Sequence, residues 1–143
     1  MKKRENYVTV RRKPIAAFHD ASITLLFVYG TLLRGFANHE VYLADAVFVG
    51  GAVTEERFAL YVDDFPYLTK SARVSQIVGE LYRVDGPTLE HIDCLEGHPD
   101  DYRREQIQVV TDRGERHSAW TYFYPEPRGR LLASGQYDGG DTA

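Results

Sequence analysis

Glu96 is the residue of this chain best suited to proton transfer. It closes the segment Leu89-Glu90-His91-Ile92-Asp93-Cys94-Leu95-Glu96. At about 100° per residue from Leu89, Ile92 falls at about 300°, Leu95 at about 240° and Glu96 at about 340° on a helical wheel. Glu96 therefore shares the face that Leu89, Ile92 and Leu95 would bury. A carboxylate in that place is disfavoured as an ion twice, by desolvation and by the negative end of the helix macrodipole. Both effects raise its pKa toward the range of a group that takes a proton and later returns it. If the helix frays before Glu96, the side chain reaches water and keeps its ordinary acidity.

A second candidate is the turn Tyr29-Gly30-Thr31-Leu32, which follows an apolar strand. A buried strand that ends in Gly-Thr leaves consecutive backbone N–H groups without a ladder partner. Such groups form a concave binding site for an anion, and glycine lets a ligand come close to the backbone. An ordinary strand-end turn would have the same sequence. Tyr102 follows the Glu96 turn closely enough to lend a hydroxyl to a common pocket. Among the ten tyrosines, Tyr122 and Tyr124 alternate with Phe123 on a strand that also carries Trp120, a pattern expected of core.

Other chemistries are missing from the sequence. His19, His39, His91, His98 and His117 fall at no metal-ligand spacing, so no metal or cofactor is expected. No Gly-rich loop leads into Lys-Ser or Lys-Thr, and Gly-X-Ser-X-Gly is absent. Cys94 lies about 160° from Glu96 on the wheel and is expected to be a partly buried structural thiol. As the single cysteine it has no partner for an internal disulfide, which points to a reducing cytoplasm.

The elements that must hold these residues follow from pattern and punctuation. Ile23 to Tyr29 reads as a strand buried on both faces. Asn38 is placed to cap a short helix running to about Ala44. Ala46 to Val53 and Arg57 to Val62 read as strands, with Gly50-Gly51 as a bulge or bend. Asp63 to Pro66 reads as a loop. Gln76 to Val84 alternates, and Gly79 suggests a close backbone approach. Asp85, Gly86 and Pro87 start a helix that ends near Glu96, before Gly97 and Pro99. Arg104 to Asp112 and His117 to Tyr124 are strands joined by an Asp-Arg-Gly-Glu hairpin turn. From Pro125 the chain reads as loop, and residues 134–143 are expected to fray.

The pattern gives one small domain, a sheet of about six short strands that curls into a barrel-like core, and two short helices on its outside or at one mouth. With 43% hydrophobic and 27% charged residues, the chain is neither a disordered, a collagen-like nor a coiled-coil sequence. Its longest apolar run is strand-sized, so no membrane span is expected. Lys2, Lys3, Arg4, Arg11, Arg12 and Lys13 against Glu5 give residues 1–13 a charge of +5, so the net −4 leaves −9 for the remainder. An acidic body does not suit nucleic acid as a partner. Residues 1–22 form a basic extension expected to be solvated and poorly ordered. They lack the apolar core of a secretory signal.

Phe27-Val28-Tyr29-Gly30-Thr31-Leu32 with Arg34-Gly35 and Asn38-His39 resembles the opening of the gamma-glutamylcyclotransferase-like family, in its gamma-glutamylamine cyclotransferase and AIG2-like branch. A second motif agrees with it. Gly79-Glu80-Leu81-Tyr82 leads into Ile92 to Arg104, with Pro99, Tyr102 and Arg104 at the family's offsets from Glu96. Ser134-Gly135 and Tyr137 resemble the family's ending. The likeness covers residues 23–137 and leaves 138–143 as a tail. It implies a small α+β fold with a mixed barrel and a cavity at one end, and Glu96 as catalytic acid and base. It also implies that Tyr29, Gly30, Thr31 and Leu32 hold the glutamyl part of a substrate and that Tyr102 lines the same cavity.

The expected reaction is an acyl transfer, the cyclisation of a gamma-glutamyl amide to 5-oxoproline with release of an amine or amino acid. The substrate brings its own nucleophile, so the protein needs neither a nucleophilic side chain nor a metal. One carboxylate and a set of oxyanion donors suffice. The expected partner is a small molecule, without nucleic acid or membrane. The alternative is a non-catalytic module that binds a small acidic metabolite in the same cavity. A third class is a protein that uses its basic arm on an anionic surface. The leaving group and the oligomeric state are not read from the sequence.

Overall fold

The structure, a computed structural model, describes residues 23–139. The expectations for residues 1–22 and for 140–143 lie outside the described residues. Among the described residues eight strands and two helices follow one another as β1 (Ile23–Val28), α1 (His39–Tyr42), β2 (Val47–Thr54), β3 (Ala59–Val62), β4 (Pro66–Thr69), β5 (Val78–Asp85), α2 (Gly86–Glu96), β6 (Arg103–Thr111), β7 (Arg116–Phe123) and β8 (Arg130–Leu131). Five strands close a barrel in the order β1-β5-β2-β6-β7, and β4-β3-β8 form a second sheet. The barrel is mixed, because β1 meets β7 in parallel at Leu26 and Trp120 while the other pairs are antiparallel.

β1 explains the two-layered core. Leu26, Phe27, Val28 and Tyr29 are all buried, and alternation sends them to opposite sides. Phe27 and Tyr29 join Ala52, Leu81, Val109 and Ala119 inside the barrel. Leu26 and Val28 join Tyr82, Val84 and Tyr122 under Leu43 and the α2 residue Ile92. The run is apolar on both faces because the barrel interior takes one face and the helices take the other. Gly79 makes room where β5 crosses β1, since a Cβ there would lie 2.2 Å from the Val28 carbonyl oxygen.

Two strands were not legible as such. β4 begins inside the segment read as a loop, and its four residues are all buried. It shows no alternation, and proline is tolerated at its first position. β8 has two residues, Arg130 and Leu131, paired with β3. The result is eight strands in two sheets in place of about six in one. The tail also departs from expectation. Gly135 is buried and its carbonyl accepts from the Val78 N–H at 2.9 Å. The Tyr137 ring packs on Phe36 with centroids 5.0 Å apart.

Asn38 does not cap α1 with its side chain. Its Nδ2 donates instead to Thr31 Oγ1 at 2.9 Å, while its backbone N–H donates to the Thr31 carbonyl at 3.0 Å. The residue ties α1 to the turn after β1. At Gly50-Gly51 the register of β2 against β5 shifts between Phe48 and Gly50, the bulge expected of the glycine pair.

Candidate functional site

Glu96 owes its place to the way α2 starts and stops. The Asp85 carboxylate accepts from the Thr88 N–H at 2.9 Å, and Pro87 lies in the first turn. At the other end Gly97 has φ 70°, where a β-carbon would be strained. The His98 N–H then returns to the Asp93 carbonyl at 3.0 Å, so the helix keeps its last turn up to Glu96. The chain folds back, and the Tyr102 N–H donates to the Glu96 carbonyl at 3.2 Å. Six residues after the carboxylate, Tyr102 is thus held beside it.

A cavity of about 340 Å³ opens here, lined by all six residues singled out in the sequence: Tyr29, Gly30, Thr31, Leu32, Glu96 and Tyr102. Burial pushes the Glu96 carboxyl up to about 7. Among the described residues nothing donates a hydrogen bond to it and no cation pairs with it. Ile92 beneath it is fully buried. Leu95 is 36% exposed and lines the cavity, so the expected apolar face is completed by only part of its members. Cys94 is exposed, against the expectation of a partly buried thiol, because it faces away from the barrel.

The turn after β1 forms the opposite wall. The Leu33 N–H closes on the Gly30 carbonyl at 2.9 Å. The backbone N–H groups of Gly30, Thr31 and Leu32 make no hydrogen bond to a described residue. The carbonyls of Thr31 and Leu32 are taken, by the Asn38 N–H at 3.0 Å and by His39 Nδ1 at 3.0 Å. The turn is therefore fixed through its acceptors, with three donors left over. Gly30 has a structural reason that the sequence did not reveal. A β-carbon there would lie 2.4 Å from Pro66 Cγ, so glycine lets β4 close against the turn.

Sequence reasoning missed the far wall. Tyr102 donates from its hydroxyl to the Pro66 carbonyl at 2.7 Å. Its ring stacks on Tyr67 with centroids 5.9 Å apart and planes 3° from parallel, and Tyr124 meets both edge-on. The Tyr67 hydroxyl donates to Asp64 Oδ1 at 2.6 Å; burial, and after it this bond, lifts the Tyr67 pKa to about 12. Arg128 Nη1 donates to the Tyr124 hydroxyl at 2.9 Å. Only the family motif's Tyr102 signalled this wall; Asp64, Tyr67, Tyr124 and Arg128 come from loops and strand ends remote in sequence.

Behind Glu96 lies a polar clamp. Arg104 grips Asp93 with two bonds, Nε to Oδ1 at 2.8 Å and Nη2 to Oδ2 at 2.9 Å. The Tyr122 hydroxyl donates to the same Oδ1 at 2.6 Å. Arg104 also lies 4.3 Å over the Trp120 ring. Burial opposes the charge of Asp93, but the bonds from Arg104 and Tyr122 outweigh it and hold the carboxyl below its usual range. The clamp joins the last turn of α2 to β6 and β7.

The fold and its cavity define a class: a small barrel domain with a pocket for a small polar molecule, equipped with one carboxyl able to exchange a proton near neutrality. Comparison with known proteins gives the family. The family model described as gamma-glutamyl cyclotransferase, AIG2-like, matches residues 26–139, and the chain belongs to that family. It is 51% identical over 112 residues to the "Putative gamma-glutamylcyclotransferase" of Methanocaldococcus jannaschii, covering 78% of this chain and 93% of that one. It is 38% identical over 92 residues to the gamma-glutamylaminecyclotransferase of Rattus norvegicus, covering 59% and 62%. Among solved structures, an AIG2-like protein from Mus musculus superposes with a TM-score of 0.67 at 32% identity, covering 71% of this chain and 77% of that one. Family membership supports a cyclotransferase activity on small gamma-glutamyl substrates. No helix among the described residues is long and apolar enough to cross a membrane.

Proposed function

We propose that the protein cyclises a gamma-glutamyl amide to 5-oxoproline and releases the amine, with Glu96 as the base and then the acid. The observation that carries this reading is an unpaired carboxyl with a pKa of about 7 in one cavity with three unbonded backbone N–H groups. The turn Tyr29–Leu32 binds the glutamyl part. Its N–H groups donate to the substrate carboxylate or to the oxygen that becomes negative during attack. Glu96 takes a proton from the substrate α-ammonium. The freed amine nitrogen attacks the γ-carbonyl carbon, and a five-membered ring closes. The bond from that carbon to the departing nitrogen breaks, and Glu96 returns its proton to that nitrogen. The ring nitrogen then gives up its second proton through the same carboxyl to the released amine, which leaves as an ammonium, so protons and electron pairs balance without any other reagent. The Tyr102 hydroxyl is committed to Pro66, so Tyr102 contributes a rigid wall that holds the substrate for attack.

Glu96→Gln keeps the shape and removes the proton acceptor. Release of free amine from a panel of gamma-glutamyl amines should fall by about 10²–10⁴. Affinity for 5-oxoproline should change far less, because the amide still forms hydrogen bonds. Equal turnover by the two proteins would remove Glu96 from the mechanism. Binding of 5-oxoproline by a wild-type protein that turns over no panel member would make the cavity a binding site without chemistry.

A further inference from the structure

The cavity has two ends with different electrostatics. At the Glu96 end the charged group feels burial and no cation. Arg128 is the only lysine or arginine among the residues lining the cavity, and it influences a different set, Tyr124, Tyr67 and Asp64. No described carboxylate meets its guanidinium at contact distance, although Asp64 is near enough to feel its charge and Asp101 also lines the cavity. Of the five N–H groups of the Arg128 guanidinium, one on Nη1 donates to the Tyr124 hydroxyl at 2.9 Å, and the Tyr67 hydroxyl lies within reach of another. The group lies over the Tyr67 and Tyr124 rings at 5.4 and 5.6 Å. Asp64 shares the rim, but its Oδ1 is committed to the Tyr67 hydroxyl at 2.6 Å and the Phe65 N–H at 3.0 Å.

The loop that carries Arg128 is seated firmly. Gly129 has φ 87°, and a β-carbon there would lie 2.2 Å from the Val62 carbonyl oxygen. The backbone of this loop can press against the end of β3 only because residue 129 is glycine. β8 follows at once and pairs with β3. The cation is therefore presented by a fixed backbone at the mouth of the cavity.

We propose that this mouth is the subsite for the leaving group, where Arg128 reads a carboxylate carried by the departing amine. The proposal rests on the cyclotransferase reading and deepens it by naming the substrate class. That class is gamma-glutamyl conjugates of amino acids or peptides with a free carboxylate, as opposed to conjugates of alkylamines or polyamines. Proton transfer requires the reacting carbon and both nitrogens within hydrogen-bond reach of Glu96. In that reading the glutamyl part lies beside Glu96 and the turn Tyr29–Leu32. The substituent on the departing nitrogen must then run along the tyrosine wall toward the opening. A carboxylate at its far end meets a planar cation whose free N–H groups fit two carboxylate oxygens.

The test compares kcat/KM for a gamma-glutamyl amino acid, the same compound with its terminal carboxylate converted to a carboxamide, and a gamma-glutamyl polyamine. The acid should be preferred over the carboxamide by about 10- to 100-fold, the discrimination expected of charge-assisted hydrogen bonds. In Arg128→Gln the ratio should collapse toward one, with the change in KM. Arg128→Lys, which keeps the charge without the fork, should recover part of the ratio. A wild-type ratio near one, a preference for the polyamine, or a ratio that survives Arg128→Gln would each overturn the proposal while leaving the cyclotransferase reading intact. Absence of turnover on all three compounds would overturn both.

Discussion

Asp93 and Glu96 stand one turn apart on the same helix and meet opposite fates. Asp93 faces β6 and β7, where Arg104 and Tyr122 supply three hydrogen bonds and hold it ionised. Glu96 faces the cavity, where burial comes without a partner and its pKa rises to about 7. Neither environment follows from residue type, since both are carboxylates in the last turn of one helix. The paired carboxylate joins the helix to the barrel. The unpaired one is kept at a cost in stability, which is the usual mark of a group retained for binding or chemistry.

The sharpest way to break this contrast is to remove the partner of Asp93. In Arg104→Met the carboxylate, whose side chain is 16% exposed, loses its cation. Stability should fall by about 3 kcal/mol, somewhat below the cost of unpairing a fully buried ion. Urea unfolding would show a lower midpoint at an unchanged slope. A loss under about 0.5 kcal/mol would make the clamp a surface ion pair in effect.

Glu96 should show the opposite sign, with a pH dependence. Its folded pKa of about 7 exceeds its unfolded value. Between about pH 4.5 and 7 the folded state therefore binds more protons than the unfolded state, and stability falls as pH rises through that window. Below the window Glu96 is neutral in both states and carries no penalty. Above it the penalty is constant, up to about 3 kcal/mol. Glu96→Gln should match the wild type at pH 4 and exceed it at pH 8, as read by thermal or urea unfolding at both values. If Glu96 is the base, kcat/KM should also rise with pH through about 7 and then level.

Gly30 tests the wall that faces Glu96. Gly30→Ala brings a β-carbon to 2.4 Å from a proline ring that has little freedom to move. We expect a loss of about 1–3 kcal/mol from overpacking, together with weaker binding of 5-oxoproline as β4 shifts. Loss of binding at full stability would mean that glycine serves only the approach of the ligand. The smallest effect belongs to Tyr102→Phe, which deletes the bond to the Pro66 carbonyl and keeps the ring stack. It should lower stability by about 1 kcal/mol and turnover by a few fold. A drop as large as that of Glu96→Gln would give the Tyr102 hydroxyl a part in proton transfer.

Much of this molecule is written locally. The both-sided burial of β1, the start of α2 at Asp85, its stop at Gly97 and the hairpin at Asp112–Glu115 all follow from residue chemistry over a few positions. The burial of Glu96 followed from helical periodicity, and the turn Tyr29–Leu32 from a strand ending in Gly-Thr. Other readings failed where the deciding contact was remote. Asn38 has the chemistry of a cap, yet Thr31 offers its side chain a better-placed partner. Leu95 has the right wheel position but reaches the cavity rim, because the barrel surface ends beneath it. β4 and β8 are too short to show a period and are defined by pairing with β3.

The sequence alone determined which carboxylate and which turn could do chemistry, because helix phase and strand termination are properties of consecutive residues. Tertiary structure decided what surrounds them. Residues 64–67, 102, 124 and 128 become one wall only when the second sheet closes against the barrel. Pairing of that kind depends on the fit of distant side chains and on backbone partners that no local pattern encodes. The packing of α2 on the barrel left Glu96 without a counter-ion while Asp93, three residues earlier, received two partners from β6 and β7.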